Sequence, residues 1–285
     1  MSRPVPTPGR FEDEPVGASV DPVSASAELV AAGIPVRRAS PEAIARWVGA
    51  GWADFRRSPV PGLVVGLVCV AVGWFIVLAL WRIESAVFVL PLITGFMLAS
   101  PLLAVPLYEV SRRHARGEPA GAGALLAGFR RNRWGIGFMG ALLMLFLYGW
   151  LRVATMIWFL FFGLEAPPLD AFLATALSDF GFVLASFGIG GVLATLVFSI
   201  SAISLPMLVD RPADAMTAAM TSLRACLGSP ATMALWAFLI SILTLIGIGA
   251  AFFGLLLVVP VIGHATWHAY TDLVGSAAER QQLRD

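Results

Sequence analysis

The chain has 285 residues, 58% of them apolar and only 13% charged, with a mean hydropathy of +0.83. That leaves too little polar surface for a water-soluble domain and makes the lipid bilayer the expected partner. No nucleic-acid partner is expected, and the formal net charge of +1 hides a separation of a basic face from an acidic one.

Residues 1–39 are rich in proline and small polar residues and carry the acidic run Glu12-Asp13-Glu14. They hold no apolar core of a cleavable leader and read as a disordered cytoplasmic tail. An amphipathic stretch follows, opened by Ser40 before Pro41 and Glu42, with Val48, Trp52 and Phe55 on one helical face. It ends at Ser58-Pro59, where a first apolar run begins, Leu63 to Trp81, and a second follows from Ala86 to Val110. The same order then recurs. Ala122, Leu126 and Phe129 precede Asn132-Arg133 and the runs Trp134 to Gly163 and Phe180 to Val209. Ala219, Leu223 and Cys226 precede Ser229-Pro230 and a run from Thr232 to Thr271. That last run is about twice the roughly 20 residues a bilayer core requires, and Gly247-Ile248-Gly249 divides it in two. Each dipeptide supplies a short polar N-cap, and two of the three place proline at the first helical position.

The reading is an all-α, polytopic membrane bundle of six transmembrane helices. It is built from three repeated units, each an amphipathic interfacial helix followed by a helical hairpin, at about 40–112, 118–210 and 212–272. The membrane domain covers 40–275, and 276–285 form a cytoplasmic tail. The basic residues are all arginine, concentrated before the first run, between the second and third, between the fourth and fifth, and after the sixth. The opposite side holds Arg82, Glu84, Glu165, Asp170 and Asp179. By the positive-inside rule both termini face the cytoplasm of a bacterial inner membrane. The arginines beside the amphipathic faces suit helices lying at the headgroup boundary.

The second helix of each unit carries proline near its arginine-rich end, at Pro101 and Pro106, at Pro206 and at Pro260, which predicts kinks. Ser186, Gly190 and Ala194, beside Gly191, form a small-residue stripe for close packing. Cys69 and Cys226 are too few and too far apart for a disulfide framework and read as buried small hydrophobes.

Several segments resemble a known family. These are Gly51-Trp52-Ala53-Asp54-Phe55-Arg56, Leu90-Pro91-Leu92-Ile93-Thr94-Gly95-Phe96, Pro101-Leu102-Leu103-Ala104, Leu107-Tyr108-Glu109 and Gly263-His264-Ala265-Thr266-Trp267-His268-Ala269-Tyr270. Over roughly residues 40 to 275 the chain resembles bacterial integral membrane proteins designated domain of unknown function 2189. Some members carry a cytochrome c oxidase label, which implies an accessory or assembly role beside respiratory complex subunits. A haem-copper core itself needs about six ligating histidines, and this chain has three, His114, His264 and His268.

His264 and His268, spaced by four, project from one helical face and form a candidate metal or haem pair if a further ligand approaches. Aligning Pro101 with Pro260 sets Glu109 opposite His268 and Tyr108 opposite Trp267, which makes Glu109 the candidate third ligand. The alternative is hydrogen bonding at the interface, with Asp272 nearby and Trp267 and Tyr270 in an aromatic belt. Arg152 is the one charge well inside an apolar run. It lies roughly 27 Å along its helix, where it snorkels or meets Glu165. No phosphate-cradling glycine loop, catalytic triad or spaced carboxylate pair stands out, so neither an enzyme nor a cofactor is expected. The expected function is a non-catalytic scaffold or accessory factor for membrane complexes. A transporter or lipid-handling protein, and a haem or metal site at His264 and His268, are the alternatives.

Overall fold

Three corners set the path of the chain. At Ser58, Asn132 and Ser229 the backbone leaves helical geometry for a single residue, with φ/ψ of −139°/75°, −140°/66° and −141°/58°. A new helix begins at the very next residue in each case. Asn132 Oδ1 accepts the Gly135 N–H at 3.0 Å. Pro59 and Pro230 stand where a helix needs no N–H donor. The structure, a computed structural model, describes residues 34–83, 86–163 and 171–275, and the regular elements among them are all helical.

In chain order, α1 (Ala43–Arg57) turns at Ser58 into α2 (Pro59–Ile83). After a 3-10 turn at Ala86–Phe88 come α3 (Val89–Leu103) and α4 (Val105–Ala115). Next, α5 (Gly123–Arg131) turns at Asn132 into α6 (Arg133–Phe162), and α7 (Phe172–Ser178), α8 (Phe180–Ser201) and α9 (Ser204–Asp210) follow. Finally α10 (Ala215–Gly228) turns at Ser229 into α11 (Pro230–Gly249), and α12 (Leu255–Val274) follows. The expected tails, with Glu84, Glu165 and Asp170, lie outside the described residues apart from 34–39 of the first tail.

Among the described residues five stretches are long and apolar enough to cross a bilayer: Pro59–Arg82, Pro91–Ala115, Arg133–Phe162, Phe180–Asp210 and Pro230–Gly249. The expected sixth, α12, has 20 residues, but His264, His268 and Asp272 dilute its apolar character. The chain turns just after Gly247-Ile248-Gly249, at 250–254, where Ala251 and Phe252 adopt φ of 51° and 68°. Gly73 of α2, having no side chain, makes room for the Phe252 ring.

The prolines act where the second helices approach the arginine-rich end. Between Pro101 and Pro106 the helix breaks at Ala104, and before Pro206 it breaks at Ala202 and Ile203, whereas α12 runs unbroken through Pro260. A break exposes backbone groups that lipid cannot satisfy. The Ile203 N–H is accordingly taken by Ser222 Oγ of α10 at 3.1 Å.

Beyond these breaks the second helices are enclosed. Nine of the eleven residues of α4 and all seven of α9 are buried, as is most of α12 from Gly263 onward. The amphipathic helices enclose them as a collar, with α1 packed on α12, α5 on α4, and α10 on α8 and α9. The first collar helix therefore closes on the last helix of the chain. Gly51 permits this, since a Cβ there would lie 2.6 Å from Ala265 N and 2.7 Å from Val261 O. Gly128 plays the same part between α5 and α4, where a Cβ would lie 3.0 Å from Val105 O. The buried face of α1 is Ala43, Ile44, Trp47, Gly51 and Phe55, so of the expected apolar face Phe55 packs inward while Trp52 is exposed.

Away from the collar the bundle loosens, and α2, α6 and α11 present Leu67, Phe75, Phe138, Leu145 and Phe238 outward. Gly190 of the small-residue stripe receives the Trp150 ring, whose Nε1 donates to Thr94 Oγ1 at 2.7 Å; Ala194 stays exposed. At the far end Trp158, Phe162, Phe172 and Phe182 pack around Val87 and Ile157. Cys69 and Cys226 are buried free thiols.

The close approach at Gly51 gives opposed expectations for two glycines of one helix. Gly51→Ala pushes a methyl into the α12 backbone and is expected to cost about 1–3 kcal/mol. Gly49→Ala meets open space and should raise stability by up to about 1 kcal/mol. Thermal unfolding of the two variants in the same detergent checks both signs.

Candidate functional site

Four residues before each corner stand Asp54, Gly128 and Ala225. In α5 and α10 a small residue lets the collar helix settle on its neighbour, whereas in α1 a carboxylate fills the space and reaches across to α4 and α12. Asp54 Oδ1 lies 2.9 Å from His114 Nδ1. Its Oδ2 lies 2.9 Å from His268 Nε2 and accepts the Ser111 hydroxyl at 2.6 Å. Ser111 Oγ is in turn 2.7 Å from His264 Nδ1. All three histidines of the chain thus gather on one carboxylate, two directly and one through a serine.

Proton counting assigns the donors. Ser111 gives its proton to Asp54, so His264 Nδ1 must carry the hydrogen it shares with Ser111. His114 and His268 donate to the carboxylate through Nδ1 and Nε2. His114 Nε2 then accepts the hydroxyl of the corner residue Ser58 at 2.9 Å. His264 is fully buried, and its Nε2 has no partner within hydrogen-bonding geometry. Burial pushes the Asp54 carboxyl up, but hydrogen bonds from His268, Ser111 and His114 outweigh it and hold the group at about 2. Asp54 is therefore an anion, largely enclosed between α1, α4 and α12.

Ser58, His114 and Asp54 stand in the hydroxyl, imidazole, carboxylate order from which a neutral histidine can draw a serine proton. Two apolar grooves lie elsewhere on the surface. One is lined by Gly73, Trp81, Phe96 and Phe252, the other by Leu145, Trp150, Gly188 and Leu196, and Ser58 borders neither. Among the described residues no three His, Cys, Asp or Glu side chains are grouped to hold a metal ion.

Of the residues expected to form a site, His264 and His268 come together and Glu109 does not join them. Its carboxylate is taken by Arg112 Nε at 2.7 Å and Nη2 at 2.9 Å, and by Arg113 Nε at 2.9 Å. The helix alignment matched depth along the axis, but Glu109 projects toward α5 while Ser111 and His114 turn toward α1 and α12. Trp267 and Tyr270 are 1% and 0% exposed, which corrects the expectation of an aromatic belt. They pack on each other, with ring centroids 5.5 Å apart, because this part of α12 is enclosed by the collar. Tyr108 is buried. Asp272 accepts Trp47 Nε1 at 2.9 Å and lies 3.4 Å from Arg46. Arg152 is exposed; its Nε donates to the Tyr148 hydroxyl at 3.0 Å and its guanidinium lies 5.1 Å from that ring. Asp54, Ser111 and His114 escaped the sequence reading. The available signal was a carboxylate standing four residues before its corner, where the other two corners have glycine and alanine.

Because Asp54 is held below its ordinary 3.8, its contribution to stability is complete above pH 3.8 and is lost as pH falls toward 2. Asp54→Asn should be less stable at pH 6, and the gap to the native protein should narrow over that acid window when unfolding is followed in detergent. Replacing His264 and His268 by glutamine should be milder than replacing both by leucine, since glutamine keeps a donor for Ser111 and Asp54.

Residues 89–210, from α3 to α9, match the family model described as predicted integral membrane protein (DUF2189). No curated protein and no solved structure matches the chain. Glu109, Ser111 and His114 fall inside the matched stretch, and Asp54, His264 and His268 fall outside it. The chain thus carries its resemblance to the DUF2189 integral membrane proteins in its middle, across the apolar stretches Pro91–Ala115, Arg133–Phe162 and Phe180–Asp210.

Proposed function

We propose that this chain is a six-pass, non-catalytic scaffold or accessory protein of the bacterial inner membrane, built from three repeated units, with both termini in the cytoplasm. The near-identical backbone angles at Ser58, Asn132 and Ser229 support the repeat. Twenty residues of α12 reach about 30 Å, enough for a sixth crossing. At the collar end thirteen described arginines stand against seven carboxylates, which favours the cytoplasmic side. Trp52, Leu126, Phe129, Met216 and Leu227 are exposed on the collar beside Arg56, Arg57, Arg130 and Arg224, as suits helices seated at a headgroup boundary.

The scaffold reading rests on one observation above all: among the described residues the buried charged and histidine side chains are all at the collar end, and two grooves farther along are walled by apolar side chains. A transporter needs polar groups near midplane depth. The grooves themselves, of about 330 and 480 Å³, favour lipid handling as the second reading. Other membrane proteins, respiratory complex subunits among them, are the proposed partners.

Reporter fusions test the topology. Fusions after Arg113 and after Asp285 are expected to read cytoplasmic and one after Gly163 periplasmic; a periplasmic C-terminus would remove α12 as a crossing. For the function, cross-linked membranes should yield a stoichiometric membrane-protein partner by mass spectrometry. A protein that purifies alone yet moves lipid or solute across liposomes overturns the scaffold reading. Absorbance and metal analysis of the same preparation tests the haem or metal alternative at His264 and His268, which a stoichiometric cofactor lost on substitution with glutamine would establish.

A further inference from the structure

A second polar cluster lies where α4, α5 and α9 meet, built on different residues from the Asp54 site. Glu109 holds Arg112 and Arg113, and Arg131 Nε stands 3.9 Å from its Oε2. Arg112 also lies 3.4 Å from Glu118. Arg131 Nε donates to the Val209 carbonyl at 3.3 Å, which joins this group to Asp210 next along the chain. Asp210 accepts the Tyr270 hydroxyl at 2.7 Å and lies 3.3 Å from Arg211 and 3.8 Å from Arg116.

Charge does not balance here. Among the described residues the cluster sets five arginines, 112, 113, 116, 131 and 211, against three carboxylates, Glu109, Glu118 and Asp210, a surplus of two positive charges. Its centre is dry: the side chains of Arg112, Glu109 and Asp210 are 3%, 1% and 1% exposed. Arg112 Nη1 is buried there with no acceptor. An unfilled buried donor is costly, and the surplus positive charge stands on the partly exposed arginines around it; an anion with several acceptor oxygens answers both. The side chains of Arg113, Arg116 and Arg131 are 26%, 34% and 37% exposed and leave the cluster an open side. Guanidinium forks match tetrahedral oxyanions, and each arginine keeps its charge at any physiological pH.

The geometry points to a phosphate-binding site formed by Arg112, Arg113, Arg116 and Arg131, which takes a phosphate group carried by an anionic lipid headgroup or free in solution. This goes beyond the scaffold reading and does not depend on it, since binding is measured on the isolated protein.

The test uses the full chain in detergent and follows thermal unfolding against three additions: phosphatidylglycerol, phosphatidylcholine and inorganic phosphate. Saturable stabilisation by phosphatidylglycerol alone assigns the site to a lipid headgroup, and stabilisation by inorganic phosphate at millimolar concentration assigns it to a free anion. Either supports the site, provided that Arg116→Gln with Arg131→Gln weakens the response at least tenfold while Arg130→Gln with Arg133→Gln leaves it within twofold. If the double variant at 116 and 131 does not fold, Arg131→Gln alone should weaken the response at least threefold. No stabilisation by phosphatidylglycerol or phosphate, equal stabilisation by the two lipids, or an equal loss in the control pair overturns the proposal.

Discussion

Charged and polar side chains ride on α4, α9 and α12 into a region water does not reach, and covering them is the constraint on which the rest of the architecture depends. An ion pair on a protein surface contributes about 0–1 kcal/mol, whereas removing one partner of a buried pair costs about 3–5 kcal/mol. Glu109 with Arg112 belongs to the second regime, and Asp210 and Asp54 are enclosed carboxylates whose hydrogen-bond donors, Tyr270 and the histidines, are likewise costly to remove. They stay buried because α1, α5 and α10 lie across them, and those helices reach that position because one corner residue turns each into an apolar helix without a linker. Backbone geometry at three residues and polar pairing at the collar end are thus two sides of one design.

The three corners share a geometry but are filled differently. The Ser58 hydroxyl faces His114, Asn132 Nδ2 donates to the Ala213 carbonyl at 2.7 Å, and Ser229 Oγ accepts the Ala39 N–H at 2.9 Å. Each corner therefore ties down a segment distant in sequence, and the last of these reaches back before α1. The same holds one turn earlier, where glycine or alanine packs α5 and α10 tightly while Asp54 turns α1 into the hub for every histidine in the chain. Such a hub suits a fixed joint between the first and last helices, because its carboxylate stays ionised and its donors come from two different helices.

Much of the scaffold could be read from residue order, since length and apolarity are local properties. The dipeptides at 58, 132 and 229 located all three corners, and the glycines at 247 and 249 located the final turn to within a few residues. The site was less legible. Asp54 looks like one more charge on an amphipathic helix, and its partners stand 57, 60 and 214 residues away, a separation that no spacing rule covers. The alignment of Pro101 with Pro260 placed Glu109 and His268 at one depth, but depth leaves rotation about the helix axis open. That rotation sends Glu109 to the arginines. Trp267 and Tyr270 looked interfacial because they lie near a helix end, and only the collar around that end explains their burial.

The closure of the first helix on the last part of the chain is what the rest depends on, and disulfide trapping tests it most directly. With Cys69 and Cys226 replaced by alanine, cysteines at 39 and 229 should form an intramolecular disulfide in membranes under mild oxidation, because the Ala39 N–H already bonds to Ser229 Oγ. Cysteines at 39 and 132 should not. A failure of the first pair to cross-link, or equal cross-linking of both, would contradict a bundle whose first helix is locked against its last unit.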